Sequence, residues 1–329
     1  MSTTLLTDVL DTVLDKTVVP GYSRIGPLVR RAWWPADPPR DALLGRHVVV
    51  TGGSGGLGEA AVTGLARLGA EVHLVGRKAD RLHDAAVRVR DLVPGASLHE
   101  EVCDVSDLDD VRRYAGRIRD EVGTLHGLVH DAGVMPPERS TSAQGHELTL
   151  ATHVLGPLLL TELLRPALTA SADSRVVWVS SGGMYTAPLD DSIVGDLQYR
   201  EGTYDGVRAY ARTKRLQVVV ADLLARRYRE EPTTVHSMHP GWAATPGVTD
   251  SLPRFAKIAG PLLRDADEGA DTMVWLVASA EAGHGTDGFW SDRRRRSSTF
   301  LPWSQDDPAL ERRTWDAVAS LAGLDVEGS

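Results

Sequence analysis

From residue 46 onwards, short apolar runs alternate with longer amphipathic stretches along the chain. The short runs are rich in β-branched residues and are nearly continuous, which is typical of strands that are buried on both faces. The longer stretches repeat apolar positions at the spacing of a helix. The predicted strands are residues 47–51, 71–75, 97–103, 125–130, 175–180 and 233–238. The predicted helices are residues 59–68, 80–92, 108–122, 147–168, 207–228 and 267–279.

This regular order of strand and helix predicts an α/β protein with a Rossmann-like, doubly wound parallel sheet and helices on both faces. We expect residues 46–329 to form a single domain of this kind. Residues 1–45 precede the first strand and form a predicted N-terminal extension. Within it, residues 4–14 repeat apolar positions along one face, which predicts a helix.

The N-terminal extension also carries two adjacent tryptophans, Trp33 and Trp34, close behind Arg30 and Arg31. Basic residues beside tryptophans are typical of a segment that lies on a membrane surface. The alternative is an arm that packs on the body of the protein. The aspartates of the predicted helix would be repelled by anionic lipid, which favours the packed arm.

Composition narrows the choice of partner and compartment. The net charge of -9 argues against nucleic acid as a partner. Cys103 is the only cysteine, so no disulfide can form within the chain, and this fits a reducing, cytoplasmic location. No apolar run reaches the roughly 18 residues of a transmembrane helix, and the N-terminus lacks the pattern of a secretory signal. We interpret the basic run at residues 293–296 as a solvated loop.

A glycine-rich turn follows the first predicted strand, with Thr51, Gly52, Gly56 and Gly58 in the pattern T-G-x-x-x-G-x-G. A strand that leads through such a turn into a helix is typical of a phosphate-binding site, because the helix supplies free N–H groups and a positive dipole. The same residues also fit G-x-S-x-G, the nucleophile elbow of α/β-hydrolases, with Ser54 as the nucleophile. A plain turn without a ligand is the third interpretation.

The end of the second predicted strand indicates which dinucleotide would bind. NAD enzymes usually place a carboxylate about 20 residues after the glycine turn, where it binds the ribose 2′-hydroxyl. Here that place holds Gly76, and Arg77 and Lys78 follow. Two cations without a carboxylate favour the 2′-phosphate, and therefore NADP(H) over NAD(H).

A tyrosine and a lysine four residues apart, Tyr210 and Lys214, share one face of a predicted helix. A free tyrosine has a pKa near 10, and we expect the neighbouring ammonium to lower the pKa of Tyr210. Tyr210 could then exchange a proton with a substrate oxygen that Ser181, at the end of the fifth strand, also binds. A hydrolase would not use Gly58, Arg77 or this pair, which removes most support from that interpretation.

The glycine pattern together with Ser181, Tyr210 and Lys214 resembles the short-chain dehydrogenase/reductase family. Residues 196–198, 210–217, 237–248 and 269–273 resemble its SDR family member 12 branch, which also has an N-terminal extension. In the family a catalytic Asn, which holds a water of a proton relay, precedes the fifth strand. His153 stands in its place, and an imidazole could also hold such a water. The family's Asn-Asn-Ala-Gly reads His130-Asp131-Ala132-Gly133. By this resemblance the cofactor-binding residues are Thr51, Gly52, Ser54, Gly56, Leu57, Gly58, Arg77, Lys78, Asp104, Val105, Ala132, Gly133, Tyr210, Lys214, Pro240, Gly241 and Thr245.

The segments at residues 182–203 and 242–263 are expected to form the substrate pocket, with the second as a lid. Their apolar side chains predict a hydrophobic ketone, aldehyde or secondary alcohol as the small-molecule substrate. Because of His153 and Asp131, a non-catalytic NADP(H)-binding protein remains the alternative function. The resemblance also implies a homodimer or homotetramer, paired through the long helices at residues 147–168 and 207–228. The side chains expected in the pocket are Met184, Tyr185, Leu189, Ile193, Trp242, Leu252 and Phe255.

Overall fold

The computed structural model describes residues 3–244, 257, 259–283, 288–299 and 307–325. The strands are β1 (His47–Thr51), β2 (Glu71–Gly76), β3 (Ser97–Val102), β4 (Gly127–His130), β5 (Ser174–Val179), β6 (Thr233–Met238), β7 (Phe289–Ser291) and β8 (Arg294–Arg296). The helices are α1 (Thr3–Lys16), α2 (Val19–Tyr22), α3 (Ile25–Arg30), α4 (Gly56–Arg67), α5 (Ala79–Leu92), α6 (Leu108–Val122), α7 (Leu148–Leu150), α8 (Gly156–Thr169), α9 (Asp191–Gly195), α10 (Gly206–Arg227), α11 (Ala266–Ala278) and α12 (Pro308–Ala322).

The strands of the described residues form one sheet in the order β3-β2-β1-β4-β5-β6-β7-β8. All neighbouring pairs are parallel except β7 with β8. β1, β4, β5 and β6 are buried almost throughout, as their continuous apolar sequence predicts. The predicted doubly wound, Rossmann-like parallel sheet is thereby confirmed.

Helices cover both faces of the sheet. One buried cluster joins the sheet to α6, α8, α10 and α12, and the other joins it to α4, α5 and α11. Each of these helices buries a stripe of apolar side chains, while its polar face points outwards. The C-terminal helix α12 packs against α8, α9 and α10 through buried side chains that include Trp315.

Three features depart from the sequence-based expectation. The long helix predicted at residues 147–168 contains a π-helical segment, Ala151–Leu155, between α7 and α8. β7, β8 and α12 were not predicted. The interpretation of residues 293–296 as a solvated loop is wrong, because this run includes β8, and Arg293 and Arg296 are buried in ion pairs.

The N-terminal extension forms α1, α2 and α3, which pack on the body of the protein. Their anchor is Arg30, which is 2% exposed and pairs with Asp11 at 2.8 Å and with Asp292 at 2.5 Å. The favoured expectation of a packed arm agrees with this arrangement. No helix in the described ranges combines the length and the apolar character needed to cross a membrane.

Candidate active site

The carboxyl ends of β1, β4, β5 and β6 border a cavity of about 620 Å³. The strand order changes direction between β1 and β4, since β2 and β3 lie on one side of β1 and the later strands lie on the other. Doubly wound sheets bind their ligands at this point. The cavity also has the volume that is usual for cofactor and substrate sites.

The glycine-rich turn between β1 and α4 forms one wall of this cavity. Gly52 has a φ of 77°, and a Cβ there would lie 2.8 Å from the Ala132 nitrogen. A Cβ on Gly58 would lie 2.3 Å from the Gly52 carbonyl oxygen. Gly55 faces open space, and α4 begins after it with no cap from any side chain that the structure describes. The turn therefore presents bare backbone N–H groups, which fit a pyrophosphate.

The predicted residues of this turn divide into two groups. Ser54 and Leu57 line the cavity, as do Gly52 and Gly56. Thr51 does not, because its hydroxyl donates to the Val129 carbonyl at 3.3 Å and accepts from the Ala132 N–H at 3.3 Å. Thr51 therefore fixes the end of β1 to the end of β4.

A basic group lies at one end of the cavity, beyond β2. Arg77 lines it, and so does Arg81 from the first turn of α5, which the sequence reasoning missed. The Ser54 hydroxyl would be 3.2 Å from a Cβ on Gly76, so this hydroxyl occupies the space that a larger side chain at position 76 would need. Lys78 is exposed and is not among the lining residues.

Asp104 and Val105, which follow β3, line the same half of the cavity. The Asp104 carboxylate accepts from the Ser106 N–H at 2.9 Å and from the Ser106 hydroxyl at 2.7 Å. The Asp104 N–H donates to Asp110 at 2.8 Å. These bonds hold the loop after β3 in place at the edge where the adenine would lie.

Asp131 and Lys214 form a charged pair in the middle of the cavity wall. Burial lowers the pKa of Lys214, and the Asp131 carboxylate opposes that shift. Burial likewise raises the pKa of Asp131, against the charge of Lys214 and a hydrogen bond from the Gly58 N–H. The Lys214 ammonium also donates to the Val179 carbonyl at 2.7 Å. Ala132 and Gly133 line the cavity beside this pair.

Tyr210 lies against Ser181, and the two side chains are hydrogen-bonded. Ser181 is the second residue after β5, and its hydroxyl also accepts from the Gly183 N–H at 3.2 Å. Lys214 Nζ is 5.4 Å from the centroid of the Tyr210 ring. The structure thus brings together the serine, the tyrosine and the lysine of the predicted set.

The pKa expected for Tyr210 is wrong in direction. Burial raises it to about 12, the hydrogen bond from Ser181 acts against this rise, and the charge of Asp131 adds to it. The sequence showed the lysine one helical turn away but could not show how far the surrounding fold removes the phenol from water. A phenol with this pKa is protonated at neutral pH.

His153, on the π-helical segment, has both ring nitrogens engaged inside the protein. Nε2 accepts from the Val134 N–H at 3.0 Å, so Nδ1 carries the proton and donates to the Thr213 hydroxyl at 2.8 Å. Burial, and secondarily the charge of Lys214, hold the pKa of His153 well below its usual value. A neutral histidine bonded in this way has no ring nitrogen left for a relay water. His130 is also internal, with Nε2 2.8 Å from the Thr161 hydroxyl.

The loop after β6 closes the other end of the cavity with Pro240, Gly241, Trp242 and Ala243. Gly241 has a φ of 75°, and a Cβ on it would lie 2.4 Å from the Arg264 guanidinium carbon. Thr245 lies outside the described residues, as does most of the predicted lid.

The substrate side of the cavity is apolar, but only some of its residues were predicted. Met184, Leu189 and Ile193 are buried in the core and do not line the cavity, and Leu252 and Phe255 lie outside the described residues. Trp242 does line it. The other apolar residues near Tyr210 come from the loop after β4 and from the start of α10, which the sequence reasoning did not assign to the pocket. These lining residues are Val134, Met135, Val207 and Ala211.

The chain is similar in sequence and structure to known proteins. A family model described as short chain dehydrogenase matches residues 46–188. The human protein named dehydrogenase/reductase SDR family member 12 is 36% identical over 284 residues, which cover 85% of this chain and 87% of the relative. Human retinol dehydrogenase 13 is 28% identical and covers 88% of both chains. A crystal structure of a protein from Mycobacterium paratuberculosis, 26% identical, covers 89% of this chain and 98% of its own, with a TM-score of 0.70.

The fold, the glycine turn and the Ser181–Tyr210–Lys214 arrangement agree with these similarities. A relative of more than 30% identity extends over most of both chains. The chain therefore belongs to the short-chain dehydrogenase/reductase family of oxidoreductases.

Proposed function

We propose that the protein is an NADP(H)-dependent reductase that converts an apolar ketone or aldehyde into the alcohol. The observation that carries the proposal is the contact of Tyr210 with Ser181, beside Lys214, in the wall of the cavity that the glycine turn also borders. A protein that only bound a nucleotide would not need a proton donor at that place.

The preference for NADP(H) is supported by the basic end of the cavity. Arg77 and Arg81 both line it next to the Ser54 hydroxyl, and Gly76 leaves no carboxylate at the end of β2. Arginine side chains and a hydroxyl are the donors that a 2′-phosphate needs, whereas a 2′-hydroxyl would call for an acceptor. Arg81 is therefore a second arginine, beside the predicted Arg77, that could bind the 2′-phosphate of NADP(H).

The proton chemistry follows from the three side chains. Bound NADPH supplies a hydride to the carbonyl carbon. The Ser181 and Tyr210 hydroxyls would hold the carbonyl oxygen, and Tyr210 would give its proton to that oxygen as the C=O bond becomes a C–O bond. The charge of Lys214 would stabilise the tyrosinate that remains, and its ammonium would also bind the nicotinamide ribose.

The protonation state of Tyr210 suits the step in which it gives a proton to the substrate oxygen. With a pKa of about 12, Tyr210 is a neutral phenol at pH 7 and is ready to donate a proton. Oxidation of an alcohol would need the tyrosinate first, which burial and Asp131 both disfavour.

An apolar substrate is supported by the lining beside Tyr210, which includes Val134, Met135, Val207 and Trp242. Apart from Lys214, the described lining has no lysine or arginine on that side, since Arg77 and Arg81 belong to the other end of the cavity. The relative named retinol dehydrogenase 13 has a name that specifies an apolar alcohol, which agrees with this class.

A non-catalytic NADP(H)-binding protein is the second candidate, and His153 is the observation in its favour. With both ring nitrogens bonded, His153 cannot hold the water that the family's Asn holds. The serine-hydrolase alternative has no such support, because no histidine is among the described residues that line the cavity beside Ser54.

Turnover of a carbonyl panel separates the two candidates. We would measure NADPH consumption with apolar ketones and aldehydes, with sugars and with charged keto acids, using wild type, Tyr210→Phe and the control Tyr114→Phe. Tyr114 is buried in the core, and its hydroxyl has no hydrogen-bond partner, so its loss should leave turnover unchanged.

The expected result is turnover of apolar carbonyls that falls at least about 100-fold in Tyr210→Phe, the lower part of the range for a lost proton donor. NADPH binding, followed by fluorescence, should remain. NADPH binding without turnover of any compound would favour the non-catalytic protein. Turnover confined to sugars or acids would contradict the apolar pocket but not the cofactor.

A further inference from the structure

The N-terminal arm reaches the active site through one side chain, Tyr22, at the end of α2. Its ring is 6% exposed and packs against the rings of His239, at 4.6 Å between centroids, and Trp242, at 6.2 Å. Its hydroxyl is hydrogen-bonded to Tyr185. On its other side, the ring fills the space beside Gly182, the residue directly after Ser181.

The backbone of the arm is also bonded to the loop that closes the cavity. The Tyr22 carbonyl accepts from the Trp242 N–H at 2.7 Å. Arg264 donates to the carbonyls of Gly21 at 2.8 Å, Tyr22 at 3.1 Å and Pro240 at 3.1 Å. One buried guanidinium therefore ties α2 to the residue before Gly241.

The carboxylate of Asp292 also connects the arm to the loop that closes the cavity. Asp292, at the turn between β7 and β8, accepts from Arg264 at 2.6 and 3.0 Å and from Arg30 at 2.5 Å. All three side chains are at most 2% exposed. Arg30 is the last residue of α3, so this ion triad fixes the arm to the same loop a second time.

We propose that Tyr22, at the end of the N-terminal arm, is a positioning residue for the active site: it holds Gly182 and the loop at residues 240–242 in place. The arm would thereby set where Ser181 meets the substrate oxygen and where Trp242 closes the pocket. This role rests on the proposed reductase function. It does not extend to the adenine end of the cavity, where neither the arm nor the triad makes a contact with a described lining residue.

Gly182 offers a direct test of this role. A Cβ built there would lie 2.6 Å from Tyr22 Cε2 and 3.0 Å from Cδ2, and Tyr22 supplies all three nearest atoms. Gly182 is not among the glycines with a positive φ, so alanine suits its backbone. Among the residues that the structure describes, the Tyr22 ring is therefore the only obstacle to alanine at this position.

The experiment compares wild type, Gly182→Ala, Tyr22→Leu and the double variant, with Gly116→Ala as the control. Gly116 has open space around its Cβ position, so alanine there adds a methyl group without a clash. For each protein we would measure kcat and KM with an apolar ketone and the Kd of NADPH. Gly182→Ala should lower kcat/KM at least about tenfold while the Kd of NADPH changes less than about twofold.

The double variant then decides the question. If Tyr22 is the positioning residue, Tyr22→Leu alone should lower kcat/KM. Because it also opens space for the new methyl group, Gly182→Ala should then cause little further loss in the Tyr22→Leu background. An equal loss from Gly182→Ala in both backgrounds would overturn the proposal, and so would a loss of NADPH affinity in parallel with kcat/KM.

If wild type reduces no carbonyl, the reductase function is refuted, and hydrogen exchange then tests the role of Tyr22 independently. The amides of Trp242 and Ala244 donate to the carbonyls of Tyr22 and Arg264. In Tyr22→Leu, hydrogen exchange at these two amides should become at least about tenfold faster, while exchange in β1 and α4 stays at the wild-type rate. Unchanged exchange at Trp242 and Ala244 would overturn the role of the arm.

Discussion

Replacing Asp131 by Asn should move the pH dependence of the reductase towards lower pH. The variant restores the amide that the family has at this position and removes the carboxylate that opposes the loss of the Lys214 proton. Lys214 stays buried after the change, so burial would lower the pKa of its ammonium without the opposing charge of Asp131. The ammonium is the group that stabilises the tyrosinate left on Tyr210 after proton transfer.

The size of the shift can be estimated from the pair. Burial lowers the pKa of Lys214 to about 8 even with Asp131 opposing. A neighbouring opposite charge is worth about 1 to 3 pKa units, and one unit corresponds to about 1.36 kcal/mol. At pH 7.5, about three-quarters of the wild-type lysine is then protonated, against about a quarter or less in Asp131→Asn. We expect kcat/KM at this pH to fall at least about threefold.

The measurement is kcat/KM for carbonyl reduction between about pH 6 and pH 9.5, with Asp191→Asn as the control. Asp191 is an exposed carboxylate on α9 that pairs with Arg313 away from the cavity, so its variant changes the net charge equally. The alkaline limb of the Asp131→Asn profile should lie about 1 to 3 pH units below that of wild type and of the control. An unmoved limb, or one displaced to higher pH, would refute the assignment of Lys214 as the group that Asp131 keeps charged.

Three further predictions follow from other parts of the structure. Arg77→Asp should weaken NADPH binding and spare NADH binding, because a carboxylate repels the 2′-phosphate; tighter NADH than NADPH binding in wild type would contradict the assignment. Asp292→Asn should lower the free energy of unfolding by about 3–5 kcal/mol at pH 7 in chemical denaturation, since it removes the carboxylate that the buried Arg264 and Arg30 share. Burial would raise the pKa of Asp292, but the charges of Arg264 and Arg30 hold it below its usual value. The difference in unfolding free energy between wild type and variant should therefore shrink as pH falls below about 4. A difference that does not change with pH would contradict this ion triad as its source. α12 packs on α8 and α10, the long helices that were expected to pair subunits, so light scattering at micromolar concentration should give the mass of a monomer. The mass of a dimer would contradict this expectation.

The sequence predicted the central sheet well because its strands are buried on both faces. Continuous apolar runs leave few alternatives for β1, β4, β5 and β6, and the helices between them repeat at their own period. β7 and β8 escaped prediction since each has only three residues. β8 consists of three arginines, and the burial of the Arg296 side chain becomes visible only when its partners from α1, such as Asp11, are in place.

The active site was predictable where the chemistry depends on local spacing. Tyr210 and Lys214 are one helical turn apart, and the glycine turn is a continuous stretch, so both could be recognised before the fold was known. The pKa of Tyr210 was not predictable, because it depends on burial by the whole fold. Arg81 was missed for a related reason, since only the start of α5 beside β2 brings it to the cavity next to Arg77.

Two of the three departures from the family's pattern, Asp131 and His153, have one physical property in common. Asp131 accepts a hydrogen bond from the Gly58 N–H, and His153 accepts one from the Val134 N–H. An Asn at either place could accept the same bond through its amide oxygen, so both substitutions keep an acceptor for a buried backbone donor that would otherwise be unsatisfied. The replacements differ from Asn in their hydrogen-bond donors. An ionised Asp131 has no donor, and the Nδ1–H of His153 is already bound to the Thr213 hydroxyl. The fold therefore tolerates both replacements. In the proposed reductase the donors that they change lie beside Tyr210, where Asp131 and Lys214 form the only charged pair within the described lining.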